Sequence, residues 1–132
     1  MKIKLSNPRQ AKNLLNKHGI NLKRSLGQNL LVDDNVLAKI IGAAEINAQD
    51  TVVEIGAGLG ALTEKLAAEA KQVVAIELDR RLISVLEDLF REYNNIELIE
   101  GDAREVNFDQ LAGANYKVVA NVPYNVANPI IM

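Results

Sequence analysis

Glu54-Ile55-Gly56-Ala57-Gly58-Leu59-Gly60-Ala61 closes the β-branched run Thr51-Val52-Val53-Glu54-Ile55 and leads into a helical stretch carrying Leu62 and Leu66. Glycines between a strand and a helix let the backbone turn sharply, and let a ligand approach where a Cβ would otherwise stand. The helix start behind them offers free N–H groups to a polar or anionic atom. Gly56, Gly58 and Ala61 satisfy the dinucleotide pattern G-x-G-x-x-G/A. Glu77 ends the next β-branched run, 21 residues past Gly56. A carboxylate there can accept hydrogen bonds from both hydroxyls of a ribose. Gly101-Asp102-Ala103 follows a third run and aims another carboxylate at the same crevice, where Asp102 can accept from the amino group of an adenine. Each residue also has a plainer use: a tight turn, an acid beside Asp79 at a helix start, and a Gly-Asp turn capping a short helix at 107–111. In this order along the chain they describe a nucleoside site.

Asn121-Val122-Pro123-Tyr124, after the fourth β-branched run, adds a reaction. It has the Asn/Asp-x-Pro-Tyr/Phe form of amino-group methyltransferases. An aromatic amine is a poor nucleophile because its lone pair is delocalised into the ring. Two acceptors, the Asn121 side-chain oxygen and the Val122 or Pro123 carbonyl, can hold both of its N–H bonds and aim the lone pair at a methyl donor. Proline restricts the local backbone, and Tyr124 offers a face for a base taken out of its stack. The bland alternative is a strand-ending Asn-x-Pro turn. A dehydrogenase has no use for these residues.

The elements that must position these groups alternate. Ser6-Asn7-Pro8 is a helix start and Gly19 a helix stop, with Leu14 and Leu15 inward. Residues 20–32 read as irregular. Asp33 and Asp34 open a helix with Val36, Leu37, Ile40, Ile41 and Ala44 at helical spacing. Strands are expected at 51–55, 72–76, 96–99 and 117–120, with an amphipathic helix over 80–92 through Leu82, Ile83, Leu86, Leu89 and Phe90. Strands separated by helices of crossover length imply βαβ units and a parallel sheet. Residues 125–132 read as the start of a loop or helix. The fourth strand would then be a bare apolar edge inviting self-association, and the chain is expected to be a fragment of a longer protein.

The 132 residues, 48% hydrophobic, suffice for one core. With no cysteine and one histidine, His18, the chain holds no disulfide, thiolate nucleophile or thiolate zinc site, and no metal is expected. A Ser/His/Asp hydrolase would depend on His18, in a basic stretch. There is no membrane-length apolar run or signal-peptide pattern, so a soluble, cytoplasmic protein is expected. The net charge of −2 conceals an asymmetry. Lys2, Lys4, Arg9, Lys12, Lys17, Lys23 and Arg24 precede the first acid, Asp33, leaving eight basic against 17 acidic residues beyond. Residues 1–32 read as a basic arm that either meets a polyanion or simply solubilises, and 33–132 as the nucleoside-binding body.

Glu54, Gly56, Gly58 and Gly60 have the Glu-x-Gly-x-Gly-x-Gly form, which resembles the first motif of methyltransferases that use S-adenosylmethionine. Lys23-Arg24-Ser25-Leu26-Gly27-Gln28-Asn29-Leu30-Leu31 closely resembles the signature of the small-subunit ribosomal RNA adenine dimethyltransferases, and residues 54–63, 75–80, 101–103 and 119–129 match the later motifs in order. The resemblance implies an α/β fold, a Rossmann-like class I methyltransferase sheet that depends on S-adenosylmethionine (SAM). The sheet is expected to be incomplete, with about four parallel strands, and the family's C-terminal helical domain to be absent. It further implies dimethylation of two adjacent adenines near the 3′ end of small-subunit ribosomal RNA in an immature subunit; the chain alone would bind cofactor at most. By the resemblance, Asn29, Leu31, Gly56, Glu77, Asp102 and Asn121 line the SAM pocket, and Asn121 and Tyr124 serve the target adenine. Leu30, Ala57 and Val122 stand where the family more often has Phe, Pro and Leu. The competing readings are a non-catalytic RNA-binding or ribosome-assembly module on the same fold, and an NAD-dependent oxidoreductase.

Overall fold

A computed structural model describes residues 8–20, 34–120 and 130–131. Helix α1 (Pro8–Lys17) begins on proline, whose missing N–H costs nothing at a first helical position. It ends in a Schellman motif. Ile20 N–H donates to the Leu15 carbonyl at 2.9 Å and Gly19 N–H to Asn16 at 3.0 Å, with Gly19 at φ +69°. Leu15 and Ile20, the hydrophobic pair this motif brings together, are both buried beside Ala11 and Leu14. Helix α2 (Asp34–Ala44) buries Leu37, Ile40 and Ala44. Val36, expected on that face, is exposed, because one residue of helical rotation carries it off the buried stripe.

Strands β1 (Thr51–Ile55), β2 (Gln72–Glu77), β3 (Ile96–Glu100) and β4 (Lys117–Ala120) run parallel, connected by α3 (Ala61–Glu69), α4 (Arg80–Leu89) and, after a 3-10 turn at Ala103–Glu105, α5 (Phe108–Ala112). The order is β3-β2-β1-β4-β5, with Val53 of β1 opposite Val74 and Val118. Successive residues serve opposite faces. Val52, Val73 and Val119 join the core with α1 to α4, whereas Val53, Val74, Ile76 and Val118 pack against the α5 side. The strand order reverses between β1 and β4, so their carboxyl ends flank the crevice where doubly wound sheets bind ligands.

Two expectations are corrected. Residues 130–131 are neither loop nor helix: β5 (Ile130–Ile131) pairs antiparallel with β4, Ala120 opposite Ile130 and Val119 opposite Ile131. Two consecutive β-branched isoleucines suit an extended edge. The carboxyl half of β4 therefore has a neighbour on both sides, and the argument for self-association through a bare fourth-strand edge loses its basis there. The sheet is four parallel strands plus one short antiparallel strand.

Polar contacts fasten the ends of the elements. Asp88 of α4 receives Lys17 Nζ at 3.4 Å and lies 3.2 Å from His18 Nε2, tying α1 to α4. Lys117 Nζ donates to the carbonyls of Ala44 and Glu45 and pairs with Asp50 at 3.1 Å, placing a cation at the carboxyl end of α2, which the helix dipole favours.

Candidate functional site

The glycine turn is held by its neighbours rather than by its own side chains. Gly56 N–H donates to the Ile76 carbonyl at 2.9 Å, and Gly56, Gly58 and Gly60 all have positive φ. Gly60, the residue before α3, sits at φ +86° against the next helix. A Cβ there would lie 2.7 Å from the Phe90 ring and 2.9 Å from Leu86. This position needs glycine twice over, for its backbone angle and for the close approach.

Glu77, the last residue of β2, reaches this turn. Its Oε1 accepts the Gly58 N–H at 2.7 Å and its Oε2 accepts the Asp79 N–H at 2.9 Å. Each carboxylate oxygen has two acceptor sites, so among the described residues one on each remains for a further donor. Two hydroxyls on adjacent carbons are such a pair of donors. Leu78, next in sequence, is 68% exposed and gives the rim a bare apolar surface. Gly101 N–H donates to the Glu77 carbonyl at 3.0 Å and draws the end of β3 to the same place.

Asp102 follows Gly101 at that end. Its Oδ1 accepts the Arg104 backbone N–H at 2.9 Å, capping the 3-10 turn, while the Arg104 guanidinium grips both oxygens at 2.6–3.1 Å. The Arg104 side chain first, then its backbone N–H, hold the Asp102 carboxyl down at about 2. Asp102 is therefore an ionised acceptor at neutral pH. The short helix after it is capped by Asn107, whose Oδ1 accepts from Gln110 N–H at 3.1 Å.

Glu54 and Thr63 were not expected as site residues. The fourth residue of β1 points into the core, and its side chain is wholly buried. Thr63 of α3, equally buried, donates its hydroxyl to Glu54 Oε1. Oε2 has no partner among the described residues. Burial pushes the Glu54 carboxyl up to about 8, with the Thr63 hydroxyl opposing and the Glu77 charge adding to the rise. The signal in the sequence is the place of Glu54 at the head of the Glu-x-Gly-x-Gly-x-Gly form, with a threonine nine residues on.

Gly56, Glu77 and Asp102 thus meet at the carboxyl ends of β1, β2 and β3. Asn29, Leu31, Asn121 and Tyr124 lie outside the described residues, as do Lys23 and Arg24. Among the described residues no cluster of His, Cys, Asp or Glu is arranged to hold a metal ion, and no helix is long and apolar enough to cross a membrane.

Comparison with known proteins supplies the decision. Residues 19–132 match the family described as ribosomal RNA adenine dimethylase. The chain belongs to that family. It is 46% identical over 134 residues to ribosomal RNA small subunit methyltransferase A of Shouchella clausii, covering 97% of this chain and 45% of that protein. It is 43% identical over 136 residues to the protein of the same name from Leuconostoc mesenteroides, covering 98% and 46%. Among solved structures, a dimethyladenosine transferase from Plasmodium falciparum superposes with a TM-score of 0.60 at 41% identity, over 72% of this chain and 34% of that one. The fold is a Rossmann-like class I methyltransferase fold with an incomplete sheet, and family and fold together imply SAM as the cofactor. The chain spans a little under half the length of the curated relatives it matches.

The residues present fit that cofactor. Gly56, Gly58 and Gly60 turn the chain with positive φ, Glu77 keeps an acceptor site on each oxygen among the described residues, and the ionised Asp102, held by Arg104, stands one strand away.

Proposed function

We propose that the crevice at the carboxyl ends of β1 to β4 binds SAM. We further propose that the whole protein uses it to dimethylate two adjacent adenines near the 3′ end of small-subunit ribosomal RNA. The observation that carries the reading is Glu77. It bridges the glycine turn and the start of α4 while keeping an acceptor on each oxygen for the ribose hydroxyls. Asp102 accepts from the adenine amino group once the Arg104 guanidinium, which with its backbone N–H fills both carboxylate oxygens, gives up one of its contacts, and exposed Leu78 supplies apolar surface for the base. By the family motif, Asn29, Leu31 and Asn121 complete the pocket.

The sulfonium of the bound cofactor supplies an activated methyl group. Asn121 and the carbonyl beside it hold the N–H bonds of the target amine and turn its lone pair toward that methyl. Tyr124 stacks on the extruded adenine. No strong general base is required, because the amine loses its proton after it has become cationic. Positioning and electrostatics do most of the work. The basic arm, residues 1–32, contacts RNA phosphates, and residues 33–132 form the cofactor-binding part. The partner is the immature small ribosomal subunit, which places the protein in the cytoplasm.

Transfer of labelled methyl groups to small subunits lacking the modification tests this reading in the full-length protein. Asn121→Ala should cut the rate far more than RNA binding, since its acceptor matters most as the amine pyramidalises. Tyr124→Phe should keep much of the activity that Tyr124→Ala loses. Equal collapse of both Tyr124 variants would show that the hydroxyl, not the ring, is needed.

A further inference from the structure

Glu54 is a buried carboxyl that the proposed reaction does not use. It lies two residues before Gly56, between Ala75 of β2 and Val119 of β4 on the neighbouring strands. One oxygen is bonded to Thr63 and the other has no partner among the described residues. Burying an uncompensated carboxylate is costly, and the group escapes that cost by keeping its proton. Among the described residues the surroundings supply no cation. On β2 the charged group at this end of the sheet is Glu77, of the same sign. Helix α3 contributes the Thr63 hydroxyl, while its Glu64 is half-buried and its Lys65 exposed. The lysine of β4, Lys117, stands two positions back along the strand and is bound to Asp50 and two carbonyls.

We propose that Glu54 is a proton-coupled counter-charge for a cationic ligand: neutral beneath the empty glycine turn, it releases its proton to solvent when a positive group is bound at that turn. The inference rests on the SAM reading and deepens it. SAM carries a permanent sulfonium charge, which its demethylated product, S-adenosylhomocysteine, lacks. In a low-dielectric interior, opposite charges several ångströms apart still interact strongly, so direct contact is unnecessary. The balance is simple: a carboxylic acid becomes a carboxylate, one proton goes to the buffer, and the ligand's charge compensates the anion left behind. A carboxyl that holds its proton to about pH 8 in the empty protein is protonated in roughly nine molecules of ten at pH 7.

Titration calorimetry of the full chain with SAM at pH 7, in two buffers of different ionisation enthalpy, counts the protons released. The expected result for a one-unit lowering of the carboxyl is about 0.4 proton per site, falling toward zero at pH 9.5. Glu54→Gln, which keeps the shape and the partner for Thr63, should release only what the ligand's own ammonium contributes. A second measurement needs no variant. The ratio of SAM to S-adenosylhomocysteine affinity should rise about tenfold between pH 6.5 and 9, the scale set by a neighbouring charge shifting the carboxyl by one unit. A flat ratio, or equal release by parent and Glu54→Gln, overturns the counter-charge while leaving SAM binding intact. Binding of neither ligand overturns the SAM reading, and this inference with it.

Discussion

Replacing Gly60 by alanine probes how tightly the glycine turn is held. Two costs are separable. The first is conformational: an L-residue at φ +86° pays about 1 kcal/mol relative to glycine. The second is steric. The new Cβ would stand 2.7 and 2.8 Å from two atoms of the Phe90 ring and 2.9 Å from Leu86 Cδ2. Leu86 is wholly buried, and Phe90 nearly so, with its ring edge-on to Tyr93 at 5.1 Å. Neither can retreat without disturbing the packing, and overpacking of this kind costs about 1–3 kcal/mol. The total is about 2–4 kcal/mol, or roughly 3–5 °C of melting temperature per kcal/mol for a chain of this size. Gly19→Ala is the matched control, with φ +69° and nothing within 4 Å of the added carbon, so it should pay only the conformational cost. Urea denaturation of both variants gives the comparison. If Gly60→Ala is no more destabilising than Gly19→Ala, the close packing of the turn on α4 is wrong as described.

Two further outcomes follow from charge. The folded Glu54 carboxyl keeps its proton to about 8 while the unfolded chain releases it near 4.5. Stability should therefore fall as pH rises between those values, by an amount on the order of a few kcal/mol, and level off above, and Glu54→Gln should abolish that slope in denaturation at pH 5, 7 and 9. In the full-length protein, neutralising Lys23 and Arg24 together should weaken RNA binding and flatten its salt dependence by about one to two units, whereas a slope equal to the parent's returns the arm to a solubilising role.

The strands and the order of the motifs were legible because β-branched runs bounded by glycines and acids are local signals, and β1 to β4 fall within a residue of where those runs lie. Long-range contacts were not. The helix expected over 80–92 ends at Leu89, because Phe90 leaves the helical pattern as its cap and packs beside Gly60, thirty residues earlier in the chain. The two-residue β5 offers too short a run to distinguish from a loop. Glu77 was recognisable at its strand end, yet its grip on Gly58 depends on the turn of another strand. Glu54 was legible as the head of the glycine motif, whereas its full burial and its bond to Thr63 depend on how α3 closes over β1. Arg104 gave no signal, although two residues of spacing put its guanidinium on Asp102.

The central claim is that the glycine turn and Glu77 together form a SAM site, and calorimetric titration with SAM and with NAD tests it most directly. The account predicts saturable binding of SAM to one site, no binding of NAD, and a loss of about 1–3 kcal/mol of SAM affinity in Glu77→Ala, the scale for hydrogen bonds to a charged group. Binding of NAD in place of SAM, or unchanged SAM affinity in a folded Glu77→Ala variant, would contradict it.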